Sequence, residues 1–329
     1  MTATTAPQSR TKAYWLNFAS LLLVAVLIFI SLSLGVADFS WQALLTLGQG
    51  DSDLELFLVS RLPRTLAIIL TGASMAICGM MMQVVLKNRF VEPSMVGATQ
   101  SAMLGMLLIS LYFPTTAIGL KVVIASVFAL LGMVVFMRLI KRLPATDYLM
   151  IPLVGIVFSG IIEAVTTFIA YETESLQLLS VWRLGDFSRI LAGRYEMLYV
   201  VGVLSAVAYV LADKLTIVGL GDNIAKNLGV NRESVLWASI GMVAMMSAVV
   251  VVTVGAIPFV GLVVPNIISG IMGDRLRATL PAVALLGASA TLLCDIIGRS
   301  IRYPFEIPVA TVFGVLGAGV FLYLLFRQK

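Results

Sequence analysis

The sequence predicts an all-α polytopic membrane protein with about ten transmembrane helices. Hydrophobic residues make up 60% of the 329-residue chain and charged residues only 12%, which is more apolar side chain than one soluble core can bury. The mean hydropathy is +1.04. The apolar residues are also grouped in runs of the length needed to cross roughly 30 Å of hydrocarbon.

Ten apolar runs are candidate spans, and the residues before the first run, 1–13, are predicted to form a cytoplasmic tail. The runs cover residues 14–36, 63–86, 94–112, 117–139, 148–170, 195–212, 234–254, 258–273, 279–298 and 307–326. The run 258–273 is short and bracketed by Pro258 and Pro265, so we expect it to be broken or to cross only partly. Residues 14–329 therefore read as one transmembrane domain.

The distribution of cations predicts the orientation. With the N-terminus in the cytoplasm, most of the 22 Lys and Arg residues fall on the cytoplasmic side, including Lys87 and Arg89, as the positive-inside rule requires. An even number of spans then places the C-terminus inside as well. Arg61, Arg64 and Arg299 fall at the outer ends of spans and need a separate explanation.

The composition excludes several classes of function. The chain has no His, so it lacks the commonest metal ligand and general base. Cys78 and Cys294 lie in apolar runs without a CxxC partner, which supports neither a disulfide framework nor a zinc site. The phosphate-binding pattern GxxxxGK[ST] is absent. We expect no metal, no cofactor, no nucleic-acid partner and no ATPase site, and hence a transporter rather than an enzyme.

One polar stretch, LTIVGLGDNIAKNLGVNRES, interrupts the apolar sequence at residues 215–234. It lies in the longest predicted cytoplasmic loop, about 213–233. Asp222 or Asn223 is suited to begin a short helix, and Gly229 to end it. We expect its exposed face to carry Asp222, Lys226 and Asn227, and its small apolar side to consist of Ile224, Ala225 and Leu228. Because so short a helix is marginal alone, we expect it to dock on something.

Several charges lie within or beside the predicted spans. Arg61 and Arg64 are three residues apart on one helical face. Each arginine would cost about 2.5–3.5 kcal/mol in lipid, so it must reach the surface or find a partner. Asp295 and Arg299 have the spacing of an i, i+4 ion pair. Glu163 lies near the middle of the fifth span, where it faces either a cavity or a structural hydrogen-bond partner.

Motifs along nearly the whole chain resemble the FecCD family, the type II ATP-binding cassette (ABC) importer permeases that move iron-siderophores, haem and vitamin B12. The segment Gly221 to Gly229 is similar to the family's cytoplasmic coupling loop. The other matching segments follow in family order: RLPRTLAIILTGASMAICGMMMQ at 61–83, NRFVEP at 88–93, GAIPFVGLVVPN at 255–266, DIIGR at 295–299 and FEIPVA at 305–310. The chain departs from many members at Asn88 to Val91, Asn266 and Ala310, but NRFVEP and VVPN are similar to a branch of catecholate and related siderophore permeases.

The resemblance implies roles for particular residues. Gly221, Asp222, Ala225, Leu228 and Gly229 would contact the ATP-hydrolysing subunit. Arg61, Arg64 and Arg299 would receive acidic residues of a substrate-binding protein. The fifth and tenth spans would line the conduit, so Glu163 would face the pathway, while Thr146 and Asp147 would belong to a cytoplasmic gate.

The resemblance also implies an assembly in the bacterial inner (cytoplasmic) membrane. Its partners would be a second permease, homologous or identical, two ATP-binding subunits, and a periplasmic or lipid-anchored siderophore-binding protein, with ferric siderophore as cargo.

Alternatives remain from the sequence alone. The segment at 215–234 could be a solvated connection without a partner. An ion-coupled secondary transporter would use intramembrane carboxylates as coupling sites, for which Glu163 and Asp295 are the candidates. An intramembrane enzyme would need a paired catalytic constellation, which the sequence lacks.

Overall fold

The computed structural model describes residues 6–35, 51–142 and 150–327, and every regular element in these ranges is helical. The helices are α1 (Ala6–Ser33), α2 (Asp51–Leu56), α3 (Leu62–Val85), α4 (Ala98–Tyr112), α5 (Ile118–Ile140), α6 (Met150–Glu172), α7 (Leu176–Arg183), α8 (Leu198–Leu220), α9 (Asp222–Asn227), α10 (Arg232–Thr253), α11 (Val260–Met272), α12 (Leu276–Ile301) and α13 (Val309–Arg327). A π-helical turn, Phe57–Arg61, joins α2 to α3.

The predicted spans all have a helix in their place, which confirms an all-α polytopic fold with roughly ten spans. Within the described ranges, eight helices are long and apolar enough to cross a membrane. The two remaining runs correspond to the shorter apolar helices α4 and α11. With 13 residues, α11 is only about 20 Å long, shorter than the hydrocarbon layer.

Pro265 does not break α11, contrary to one of the two expectations for this run. The helix is continuous from Val260 to Met272 with Pro265 inside it. A proline removes the N–H that would bond the carbonyl four residues earlier, here that of Gly261. The Gln83 side-chain amide of α3 donates to this Gly261 oxygen at 3.3 Å. A neighbouring helix therefore satisfies the group that the proline leaves unpaired.

Three helices continue beyond the predicted apolar runs. α1 begins at Ala6, inside the predicted tail 1–13. The second span extends back through the π-helical turn to Leu54, giving a helix of 32 residues. α8 ends at Leu220 rather than near residue 212, and contacts with α12 support the extension, since Thr216 Oγ1 accepts from the Leu276 N–H at 3.2 Å.

The centre of the bundle is α3, which packs against α8, α10, α11 and α12. Glycines allow two of these approaches. A Cβ atom on Gly79 would lie 1.8 Å from the Gly261 oxygen of α11, and one on Gly72 would lie 2.5 Å from the Gly287 oxygen of α12. The small residues therefore serve close helix packing. At the periphery, α6 and α13 expose large apolar side chains such as Phe168 and Val315.

Ion pairs join residues that the predicted topology places on the same side. Arg89 pairs with Asp274 and Arg277 with Asp213, all at the predicted cytoplasmic end. At the opposite end, Arg64 pairs with Asp295 and Glu306. The two groups of pairs lie at opposite ends of the long helices, which agrees with the predicted order of inner and outer connections.

Candidate functional site

The short helix α9 is held between two glycines with unusual backbone angles. Gly221 precedes it with φ +127° and Gly229 follows it with φ +70°. The Gly229 N–H donates to the Lys226 oxygen at 3.1 Å and the Val230 N–H to the Ala225 oxygen at 2.9 Å. These two bonds form a Schellman motif, which favours glycine at the position after the cap. Gly229 therefore ends the helix as predicted.

The expected side-chain cap at the start of α9 is absent, because Gly221 is the N-cap residue and no side chain caps the helix there. Asp222 instead accepts from Arg232 at 3.0 Å and lies 3.9 Å from Lys87. The connection between α8 and α10 is also shorter than the predicted loop 213–233, since α8 reaches Leu220 and α10 begins at Arg232. α9 therefore stands directly on the ends of two spans.

The two faces of α9 differ in exposure. Ala225 is fully buried, but Ile224 and Leu228, which the sequence predicts on the same apolar side, are 43% and 61% exposed. The exposed pair is four residues apart, so both side chains lie on one face of the helix. Together, an exposed apolar side chain on this six-residue helix and one on its C-cap residue form a small surface suited to docking in a groove. Ala225, in contrast, anchors α9 to the bundle.

At the outer end, two of the predicted docking arginines contact the C-terminal end of α1. Arg61 donates to the Leu32 oxygen at 2.7 Å and the Ser33 oxygen at 3.0 Å. Arg299 donates to the Leu34 oxygen at 2.9 Å and the Ser31 oxygen at 3.1 Å. Cations at a helix C-terminus satisfy its free carbonyl groups and interact favourably with its dipole. Both arginines are buried.

The third predicted docking arginine, Arg64, lies in a buried ion network. Its guanidinium contacts Asp295 at 2.7 Å and Glu306 at 2.9 Å. Asp295, whose side chain is fully buried, also pairs with Arg299 at 2.6 Å, which is the i, i+4 pair expected from the sequence. One carboxylate thus bridges two arginines from α3 and α12. Although Arg61 and Arg64 are close in sequence, they contact different helices.

Glu163 of α6 has an arginine partner. Its Oε1 lies 3.1 Å from Arg183 Nη2 of α7, and the same nitrogen donates to Thr167 Oγ1 at 2.6 Å. The pair borders a cavity of about 320 Å³ between α4, α6, α7 and the turn at residues 255–258. Glu163 therefore faces both a cavity and a partner, the two alternatives that the sequence left open.

Glu92, in the connection between α3 and α4, is a buried carboxyl group. Its Oε1 accepts from Ser94 Oγ at 2.6 Å and from the Phe259 N–H at 3.4 Å, just before α11. Burial raises the pKa of Glu92 above its usual range, while the hydrogen bonds from Ser94, Phe259 and Leu262 act in the opposite direction. The group joins the 88–93 segment to the start of α11.

Comparison with known proteins places this architecture in a family. The FecCD transport family matches residues 22–327. The chain belongs to the FecCD transport family. Family membership makes this FecCD protein a multi-pass membrane permease subunit of an ABC importer.

The relatives of this FecCD permease span almost its full length. A petrobactin import system permease protein of Bacillus subtilis, YclN, is 41% identical over 308 residues, which is 94% of this chain and 97% of YclN. A ferric-anguibactin transport system permease protein of Vibrio anguillarum, FatD, is 35% identical over 95% of this chain and 99% of its own length. A metal-chelate type ABC transporter in an inward-facing conformation superposes with a TM-score of 0.79 at 26% identity, covering 94% of this chain and 98% of that one.

The structure of this FecCD permease places the predicted coupling and docking residues in two groups, one at each end of the bundle. The coupling candidates Gly221, Asp222, Ala225, Leu228 and Gly229 form one compact segment. The docking candidates Arg61, Arg64 and Arg299 meet around the ends of α1 and α12. Thr146 and Asp147 lie outside the described residues.

Sequence reasoning missed three features of this FecCD permease: the exposure of Ile224, the place of Glu306 in the outer network, and the pairing of Arg183 with Glu163. Glu306 is the one charged residue in the otherwise apolar FEIPVA segment. That isolated charge could have indicated that Glu306 pairs with a cation. The contact between Arg183 and Glu163 depends on how α7 folds back on α6, which no local pattern encodes.

Proposed function

We propose that this chain is one of two permease subunits of an ABC importer that carries ferric siderophores across the inner membrane of a bacterium. The second permease is homologous or identical. Two ATP-binding subunits drive the cycle from the cytoplasm, and a periplasmic or lipid-anchored binding protein delivers the cargo. The observation that carries this proposal is the near-full-length similarity to the petrobactin and anguibactin permeases.

The inner end of the bundle supports a role for α9 as the contact with the ATP-binding subunit. α9 stands on the ends of α8 and α10, and α8 and α10 pack against the central helix α3. A push on Ile224 and Leu228 would therefore reach the centre of the bundle through continuous helices. Ala225 fits a positioning role in this proposal, because it is buried beneath the exposed pair.

Docking of the binding protein through Arg61, Arg64 and Arg299 stays a prediction with an added requirement. Each guanidinium already has acceptors within the chain. An acidic residue of the binding protein would have to compete with Asp295, with Glu306 or with the carbonyl groups of α1. The gate formed by Thr146 and Asp147 also stays a prediction.

The ion-coupled alternative finds little support in the two carboxylates it requires. Glu163 and Asp295 both pair with arginines, which hold their protons at all physiological pH values. A coupling site must release and take up its ion during each cycle. Two carboxylates compensated by permanent cations are poorly suited to that task.

Uptake into proteoliposomes tests the proposed function. The permease pair and its ATP-binding subunits are reconstituted, and the binding protein is added with a ferric siderophore labelled with radioactive iron. We expect uptake that requires ATP and persists when ionophores collapse the ion gradients. Uptake that needs a gradient but no nucleotide would refute the importer assignment and favour the secondary transporter.

A further inference from the structure

The ion pair between Glu163 and Arg183 lies at a depth where exposed charge needs water. Glu163 is about 14 Å from the outer end of α6, at a rise of 1.5 Å per residue. The Arg183 and Glu163 side chains are nevertheless 38% and 50% exposed. Exposing either charge to lipid at this depth is costly. The pair therefore faces a water-filled path, which the proposed assembly places between the two permeases, rather than the lipid.

The cavity beside this pair has a polar wall. Ser94, Thr99, Gln100 and Thr166 line it together with the ion pair, and the turn at residues 255–258 closes one side. The cavity therefore offers polar and charged side chains to a molecule that enters it.

Arg183 is the group best placed to bind a molecule that enters the cavity. Its described ion pair and hydrogen bond both use Nη2. A guanidinium carries five N–H donors and has the geometry to bind carboxylate oxygens in pairs. Nη1 and Nε therefore offer donors beyond the contacts to Glu163 and Thr167. Glu163 and Thr167 hold the side chain in place from the α6 side.

We infer that Arg183 is a contact point for anionic, oxygen-rich iron chelates as they pass along the path, and that Glu163 limits how tightly they are held. This inference rests on the proposed function. A guanidinium without a counter-charge would hold an anion strongly, whereas the Glu163 carboxylate competes for the same donors. Transport sites need binding that is strong enough for entry and weak enough for release. Chelates with anionic oxygens at their surface would use the site, and neutral chelates would pass it without preference.

Trp182, directly before Arg183, provides a local reporter for a test that needs no ATP. The other tryptophans, Trp15, Trp41 and Trp237, are replaced by Phe in the full-length chain, which is placed in nanodiscs with its co-purifying permease. Quenching of Trp182 fluorescence is then titrated with anionic ferric citrate and with neutral ferric tris(acetohydroxamate). A variant that also carries Trp182→Phe corrects for absorption by the iron complexes.

The inference predicts that substitutions of Arg183 and of Glu163 change the binding of the anionic probe in opposite directions and leave the binding of the neutral probe unchanged. Arg183→Gln should weaken quenching by ferric citrate about tenfold, as expected for loss of a charge-assisted contact. Arg183→Lys should fall between Arg183→Gln and the unaltered chain, and Glu163→Gln should strengthen ferric citrate binding. Titration with the neutral hydroxamate should stay unchanged in every variant.

Two results would overturn the inference. Equal changes for both probes would mean that the pair only holds α7 against α6. The same affinity for both probes in the chain with Glu163 and Arg183 intact would mean that Arg183 does not select anions. Either result leaves the ATP-dependent uptake test untouched, because that test asks whether the unaltered assembly is an importer at all.

Discussion

The outer and inner ends of this permease both carry ion pairs, but the two ends use them differently. At the outer end, the side chains of Arg64, Asp295 and Arg299 are 14%, 0% and 8% exposed. At the inner end, those of Arg89 and Asp274 are 51% and 66% exposed. Buried pairs hold helices together and depend on every partner being present. Exposed pairs contribute little to the free energy of unfolding. They also leave the surrounding surface accessible to another subunit.

This difference indicates where a partner subunit meets the least resistance. The outer arginines already have acceptors on α1, α12 and the segment before α13. A protein that docked on these arginines would have to compete with those acceptors. The inner end presents the exposed side chains of Ile224 and Leu228. A subunit that bound them would displace only water. We therefore expect substitutions at the outer network to change stability first, and substitutions on α9 to change transport first.

The largest effect is expected from Asp295→Asn. The substitution leaves Arg64 and Arg299 buried without their shared carboxylate, which should lower the free energy of unfolding by about 3–5 kcal/mol. Asp274→Asn is the matched control at the inner end, where losing an exposed partner of Arg89 should cost about 1 kcal/mol or less. Thermal and denaturant unfolding of both variants in detergent measures the contrast. Similar losses in the two variants would remove the distinction between the ends.

Glu92 provides an intermediate case, a buried carboxyl group on the inner connections. Glu92→Ala should lower the free energy of unfolding by about 1–3 kcal/mol, because Ser94 and the Phe259 N–H lose their acceptor. Glu92→Gln keeps an uncharged acceptor of the same shape and should cost much less. Unfolding in detergent compares the two variants. Equal losses would show that the acceptor oxygen of residue 92 does not determine the change in the free energy of unfolding.

The same group predicts a pH dependence with a definite sign. Burial raises the pKa of Glu92 in the folded chain, so the folded state keeps its proton at pH values where the unfolded chain has lost it. The contribution to stability is complete below the unfolded pKa and is lost as pH rises through the folded pKa. Glu92→Gln should remove this part of the pH profile. A profile unchanged by the substitution would mean that Glu92 titrates alike in both states.

The spans could be predicted from the sequence because apolar run length is a local property, and ten runs became ten helices. Helix ends were less predictable, since α8 continues to Leu220 with support from α12. The continuity of α11 through Pro265 was not predictable, because the donor that compensates for it, Gln83, is 178 residues from the Gly261 carbonyl group that it satisfies. The site followed the same rule. The end of α9 at Gly229 is a local feature and was predicted, whereas the contacts of Arg64 with Asp295 and Glu306 depend on tertiary packing.

The smallest effect on folding, but a clear one on transport, is expected from replacing Ile224 and Leu228 together by serine. Both side chains are exposed in this chain, so the free energy of unfolding should change little. If they contact the ATP-binding subunit, their loss should reduce ATP-driven uptake about tenfold, equivalent to roughly 1.4 kcal/mol. Uptake into proteoliposomes and co-purification of the ATP-binding subunit measure the effect.

Asn223 and Asn227 provide the matched control, because both are exposed on the same helix but are polar. Replacing these two residues by serine should leave uptake close to that of the unaltered chain. If both double variants lowered uptake equally, the composition of the whole loop would matter rather than its apolar face. If neither variant lowered uptake, α9 would be a solvated connection. The surface that contacts the ATP-binding subunit would then have to be sought among the exposed ion pairs of Arg89 and Arg277.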